Sequence, residues 1–319
     1  MKLKILLCAT AAALSVTASP AMAVTFVAGD VFAAVGNSLV RHYSSTGVLI
    51  ETLNTTVAGS FNTGMAFDTG GNLYVTNFSA GSISKLSNSG AVLSANYITT
   101  GSTPESLVFN AAGDLLVGHA GPVKRYSSTG TLLQTYTNFT NDWIDLAADQ
   151  KTLFHDDEGV VIGRFDISTN SALAPFTNIS TNGGGTNAFA LRILTNGDVL
   201  VAGNNKILQY NSAAVLLGTY DVTGVDGFFA LNLDSTNNTF WSGSIDNQNL
   251  YRFTIGTFGA NVSSQTIAAG GSLFGVAVFG ERTVAVPPVP EASTWAMMIA
   301  GFGIVGAAAR RRRAKLALV

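Results

Sequence analysis

Five oxygen-bearing side chains, Asn62, Glu105, Asp142, Asn187 and Asp226, recur roughly forty residues apart, each just ahead of a short apolar run. If those runs are equivalent strands of a repeated unit, the five side chains converge on one place. Carboxylate and amide oxygens around a pore suit a hard cation such as Ca²⁺, which takes oxygen ligands at about 2.3–2.6 Å. A divalent ion held there would polarise a carbonyl or activate water for hydrolysis. The same residue types also suit the mouth of a water-filled channel that binds no metal.

Other groupings carry less. The run His155-Asp156-Asp157-Glu158 crowds carboxylates whose repulsion a cation or plain water would relieve, and a solvated turn is the simpler reading. The three histidines, His42, His119 and His155, fall in different copies without metal-ligand spacing. No phosphate-binding glycine loop, HExxH or GxSxG is present, so no catalytic set can be named.

The elements that would position these residues are legible in the repeats. Gly64–Ile98 contains four runs with strand character, Met65–Phe67, Leu73–Thr76, Ile83–Leu86 and Val92–Tyr97, separated by turn clusters DTGG, SAGS and SNSG. Aligning the second strand of each copy gives Val31, Leu73, Leu115, Leu153, Val199 and Phe240, at intervals of 42, 42, 38, 46 and 41 residues. Inner strands are expected at Met65–Phe67, Ser106–Phe109, Ile144–Ala147, Phe189–Ile193, Phe229–Leu233 and Phe274–Phe279. The first copy, from Val24, lacks an inner strand, and Leu273–Phe279 is an inner strand without its outer three. Together they complete one blade. The fold class is therefore all-β, a six-bladed β-propeller of four-stranded antiparallel blades closed by its N- and C-terminal strands. RHYSSTG at Arg41 and KRYSSTG at Lys124 read as hairpin turns, the glycine supplying positive φ.

Composition agrees with that architecture. The chain has 319 residues, 47% hydrophobic and 11% charged, against about 25% charged in an average soluble domain. Gly, Ser, Thr and Asn fill the difference, as many tight turns require. From Val24 to Pro288 there are ten Lys/Arg against eighteen Asp/Glu, while five basic residues crowd the last ten positions. An acidic body without a basic face argues against nucleic acid as a partner. The only cysteine, Cys8, lies in the leader, leaving no disulfide in the body.

Both ends read as addresses. Lys2 and Lys4 precede the apolar run Ile5–Val16, and Ala21-Met22-Ala23 offers signal peptidase its small residues, so cleavage is expected between Ala23 and Val24. Near the other end PPVPEAS leads into WAMMIAGFGIVGAAA and then RRRR. The expected organisation is a signal peptide over 1–23, the propeller over 24–286 and a proline-rich linker over 287–294. An apolar transmembrane-type helix over 295–309 and a basic tail over 310–319 follow. Fifteen apolar residues are short for a span, but Trp295 at one interface and snorkelling arginines at the other lengthen the reach.

The inner strand leading through Asp-x-x-Gly-Asn/Asp into the next, in Phe67-Asp68-Thr69-Gly70-Gly71-Asn72-Leu73-Tyr74-Val75 and closely, with Asn110 in the first place, from Phe109 to Val117, resembles NHL-type and gluconolactonase-like propeller repeats. The resemblance implies a propeller and, for the gluconolactonase-like group, a divalent metal near the channel. The tail resembles the PEP-CTERM sorting signal of Gram-negative bacteria, through Val289, Pro290 and Glu291, then Trp295-Ala296-Met297-Met298, Gly301-Phe302-Gly303, and Arg310, Arg311, Arg312 and Arg313. It implies an exosortase as partner, transient holding in the inner membrane, and delivery to the cell surface or exterior, often alongside exopolysaccharide. The leading expectation is a non-catalytic propeller that binds a carbohydrate or an envelope protein, with no obligatory cofactor. The alternative is a metal-dependent hydrolase or lactonase acting at the channel mouth.

Overall fold

Glycine- and serine-rich turns separate runs of apolar residues too short to fold back as helices, and in the computed structural model these runs form six antiparallel sheets arranged as blades. The structure describes residues 24–137 and 139–281. The leader, the sorting tail and positions 282–286 of the expected body lie outside the described residues.

From the inside outward, blade 2 is Met65–Phe67, Leu73–Asn77, Ser82–Leu86 and Val92–Thr99. Blade 3 is Pro104–Phe109, Leu115–His119, Val123–Tyr126 and Leu132–Tyr136. Blades 4, 5 and 6 begin with Trp143–Leu146, Ala188–Ile193 and Phe228–Leu233. Blade 1 takes its inner strand, Gly275–Val278, from the far end of the body and its other three, Val31–Ala34, Leu39–Tyr43 and Leu49–Asn54, from the beginning. Among the described residues the single helix is a short 3₁₀ turn, Ile179–Asn182, and no helix is long and apolar enough to cross a membrane.

The burial pattern explains the sequence pattern. Second strands such as Leu73–Asn77, Leu115–His119 and Val199–Gly203 are buried at every position, because blades pack against both their faces. Fourth strands such as Val92–Thr99 are largely exposed. Bulky side chains fill the space between blades, with Trp143, Trp241, Tyr136, Tyr210 and Phe240 among the largest fully buried. Each contributes on the order of 1.5–3 kcal/mol through removal of apolar surface from water.

Closure is by backbone ladder. Val31, Phe32, Ala33 and Ala34 pair antiparallel with Val278, Ala277, Val276 and Gly275, as the leftover strands predict. Phe26 anchors the start of the ring, its N–H donating to Asn88 O at 2.9 Å and its ring lying against Phe32, Phe67 and Phe279.

Two outer elements differ from the sequence reading. The fourth strand of blade 4 is split: Ser171–Ala172 and Thr177–Asn178 pair separately with Val161–Asp166. Pro175 has no N–H for the ladder, and Phe176 turns inward against Phe154 and Tyr210. In addition, Gly259–Ala260, from the loop leading to the last strand of blade 6, pairs parallel with Tyr220–Asp221 and covers part of the edge of blade 5.

The Asp-x-x-Gly-Asn segments are turn devices. Asp68 Oδ1 accepts from the N–H groups of Gly70 and Asn72, both at 2.9 Å, and Asn110 Oδ1 does the same for Ala112 and Asp114 at 3.0 and 2.8 Å. A short oxygen-bearing side chain closing on backbone two and four residues ahead accounts for the recurrence without any ligand.

Candidate functional site at the channel mouth

The inner strands all begin at one end of the channel, and there the structure opens a cavity of about 290 Å³ lined by Phe61, Thr63, Phe78, Glu105, Glu158, Phe229 and Phe274. Its wall is mainly phenylalanine. Phe61 meets Phe274 edge-on at 5.4 Å between centroids, Phe274 meets Phe229 at 5.8 Å, and Phe189 continues the arc 5.1 Å from Phe229. These rings stand beside the inner-strand entries of blades 2, 1, 6 and 5.

Opposite the arc are carboxylates. Glu105 is 9% exposed and its side chain makes no hydrogen bond among the described residues. Burial, reinforced by the facing charges of Asp142 and Glu158, pushes its acid up to about 8. Asp142 is pushed up to about 6 by burial and then by Glu158 and Asp157. Asp156, 1% exposed with neither carboxylate oxygen hydrogen-bonded, is raised well above the usual carboxylate range by burial and by Asp142. Burial also raises Glu158.

The five rim residues therefore behave differently from one another. Glu105 and Asp142 face each other's charge at the mouth. Asn187 joins them by donating from Nδ2 to Glu158 O at 2.7 Å, which helps hold the Asp156–Glu158 turn against the channel. Asn62 is fully buried and turned into its own blade, donating to Thr76 O at 2.8 Å and Asn77 Oδ1 at 3.0 Å. Asp226 is exposed, and its backbone carbonyl, not its carboxylate, accepts from Ser244 Oγ at 2.7 Å. Among the described residues no group of three or more His, Cys, Asp or Glu side chains has the geometry to hold a metal ion.

Asp156, Glu158 and the phenylalanine arc are the members that residue-type reasoning did not place at the site. The signal available was an aromatic beside the entry position of several copies: Phe61, Phe189, Phe229 and Phe274.

The histidines serve elsewhere. His42 bridges Asp30 at 2.9 Å and Glu51 at 3.0 Å while stacking on Phe32. His119 Nδ1 lies 3.1 Å from Ser102 Oγ, but burial pushes this imidazole down to about 4 and its Nε2 has no partner. Without an acid to orient the ring, this pair lacks the third member that a nucleophile–base arrangement needs.

At the opposite end a second cavity, about 370 Å³, is lined in part by Asp145, Arg192 and Glu281. These side chains stitch blades together. Asp145 Oδ2 accepts from Ile193 N at 2.8 Å, and Glu281 Oε1 accepts from Arg192 Nε at 3.1 Å and from Leu233 N at 2.9 Å. Asn232 Oδ1 accepts from Val278 N at 3.2 Å. These polar side chains are paired with other groups of the chain.

The buried acid makes a pH prediction. Glu105 holds its proton more tightly folded than unfolded, so the native state binds more protons between pH 4.5 and 8 and stability falls as pH rises through that window. Glu105→Gln removes this penalty. The variant is expected to melt several degrees above the parent at pH 8 and close to it at pH 4.5, measured by circular dichroism; equal melting curves at pH 8 would contradict the burial of an uncompensated acid.

The PEP-CTERM protein-sorting motif matches residues 288–313. The chain carries an exosortase sorting signal. That signal directs exosortase-dependent export to the cell surface. Among solved structures the chain is similar to a propeller in the crystal structure of a nidogen/laminin complex, at 13% identity and a TM-score of 0.63, covering 78% of this chain and 98% of that one. At this identity the likeness extends to the fold alone. No curated protein matches the sequence.

Proposed function

We propose that this PEP-CTERM protein is a surface or extracellular-matrix binding module whose ligand, a carbohydrate or an envelope protein, seats on the channel mouth beside Glu105. The observation that carries the reading is the mouth itself: a phenylalanine-walled cavity edged by the carboxyl groups of Glu105 and Glu158, which have no hydrogen-bond partner among the described residues. A binding face needs apolar contact area with a few convergent polar groups. The signal peptide over 1–23, the brief stay in the inner membrane of a Gram-negative cell through 295–309, and a link to exopolysaccharide belong to the same proposal. So does descent from NHL-type or gluconolactonase-like repeats.

A hydrolase or lactonase is the competing reading, and metal content separates the two. After dialysis the exported protein is expected to hold no stoichiometric Ca²⁺ or Zn²⁺, and chelator is expected to leave its melting temperature unchanged. Stoichiometric metal whose removal destabilises the protein would favour the enzyme. The binding face itself is tested by Phe61→Ala, a change at a side chain 44% exposed and therefore tolerable to the fold. The variant should be exported and folded but shift from the cell-associated fraction into the medium; unchanged partitioning would count against the mouth as the binding face.

A further inference from the structure

We infer that the ligand group taken by this mouth is a cationic side chain, lysine or arginine, presented by a protein partner. Its aliphatic stem would lie against Phe61, Phe229 and Phe274 and its charged head would meet Glu105 and Glu158. The inference rests on the reading of the mouth as a binding face and adds the chemistry of what binds there.

Three observations lead to it. First, four other buried acids are satisfied within the chain: Asp30 by His42, Asp198 by Gln209, Asp234 by Arg252 and neighbouring hydroxyls, Asp145 by two backbone N–H groups. Glu105, nine-tenths buried and without a hydrogen bond, opens into the cavity, and both oxygens of Asp156 and one of Asp142 are unpaired behind it. Ionising a buried acid that has no partner is costly, and a cation arriving from outside would offset that cost by pairing with the carboxylate. Second, the lining offers almost no neutral donors. Thr63 Oγ1 is already engaged with Thr76 and Pro104, so a neutral sugar would find acceptors in the two glutamates but few donors for its own oxygens. Phenylalanine faces instead attract cations through the ring quadrupole and cover an aliphatic stem. Third, about 290 Å³ lies at the small end of ligand sites, which run from roughly 300 to 1,000 Å³. It suits one side chain better than a stretch of polymer.

The groups acting on Glu105 set the pH behaviour. Asp142 and Glu158 face it from blade 4, with Asp156 and Asp157 acting on Asp142 behind them. The lining supplied by blades 1, 2 and 6, Phe274, Phe61, Thr63, Phe78 and Phe229, carries no titratable side chain. Near neutral pH Glu105 is largely protonated in the empty mouth; a bound cation favours the carboxylate, so binding releases a proton and tightens as pH rises from 6 to 8.

The test uses the exported protein and three extended heptapeptides that differ only at the central residue: lysine, norleucine or glutamate. Titration calorimetry at pH 6 and pH 8, in two buffers of different ionisation enthalpy, reads affinity and proton release together. The lysine peptide is expected to bind at least tenfold more tightly than norleucine at pH 8, with proton release. The gap should narrow at pH 6 and close in Glu105→Gln. Equal binding of lysine and norleucine peptides, lysine binding indifferent to Glu105→Gln, or no lysine binding at millimolar concentration each overturns the inference. A neutral oligosaccharide arm separates this failure from failure of the underlying reading. If the sugar binds and Phe61→Ala abolishes it, the mouth remains a binding face for another chemistry. If Phe61→Ala leaves every ligand unaffected, both fall.

Discussion

Deletion of Leu273–Phe279 is expected to leave a chain that aggregates or stays unfolded, and Gly275→Val is expected to approach the same outcome with one substitution. Leu273, Val276, Ala277 and Val278 are essentially fully buried, and the strand Gly275–Val278 supplies the whole inner ladder of blade 1. Removing three large apolar side chains at about 1.5–3 kcal/mol each, together with the ladder, would consume most of the roughly 5–15 kcal/mol that stabilises a typical domain. Gly275 acts by a different route. A Cβ there would collide with the carbonyl oxygen of Thr63, a backbone atom that cannot step aside, and would also crowd Ala34. Solubility, circular dichroism and thermal melting decide the matter; a soluble truncated protein with an unchanged transition would mean that the last strand is dispensable to the ring.

The second large effect is expected at the sorting signal. Replacing Pro290-Glu291 with Ala-Ala should leave an uncut, membrane-held precursor, because a proline disfavours helix at the residue before it and a protease needs an extended segment to cut. Replacing Arg310–Arg313 with Ser should impair processing for a different reason, on the proposal that the four positive charges keep the tail at the cytoplasmic face. Intact mass of the protein from its native host reads both. Peptides containing Leu316–Val319 in the extracellular form of the parent protein would mean that the signal is not cut.

Most of the fold was legible because its repeats are written in local terms: an apolar run, an oxygen-bearing turn residue, a glycine, another run. The order of strands, their phase and the joint between blade ends all follow from that grammar. Pro175 and the pairing of Gly259–Ala260 were not legible as structure, because each depends on how a loop finds an edge. The mouth was legible only in part. Position in the repeat marks Asn62, Glu105, Asp142, Asn187 and Asp226 alike, yet rotamer and neighbour decide which of them face the channel. Asn62 is drawn inward by Thr76 and Asn77, and Asp226 faces solvent. The acidic turn at Asp156–Glu158 looked like an ordinary solvated loop because its partners, Glu105 and the phenylalanines, come from blades distant in sequence.

The strand that closes the ring also sets a timetable for export. Val31 pairs with Val278 across about 250 residues of intervening chain, so blade 1 stays open, its apolar faces uncovered, until nearly the whole body has crossed the membrane. Slow contacts of this kind carry a loop-closure cost before they give any stability in return. The last described residue, Glu281, is seven positions from the start of the sorting signal at residue 288, a reach of at most about 25 Å when fully extended. On the proposal that residues 295–309 are held in the inner membrane, the finished propeller would be tethered within a short reach of that membrane while the exosortase works.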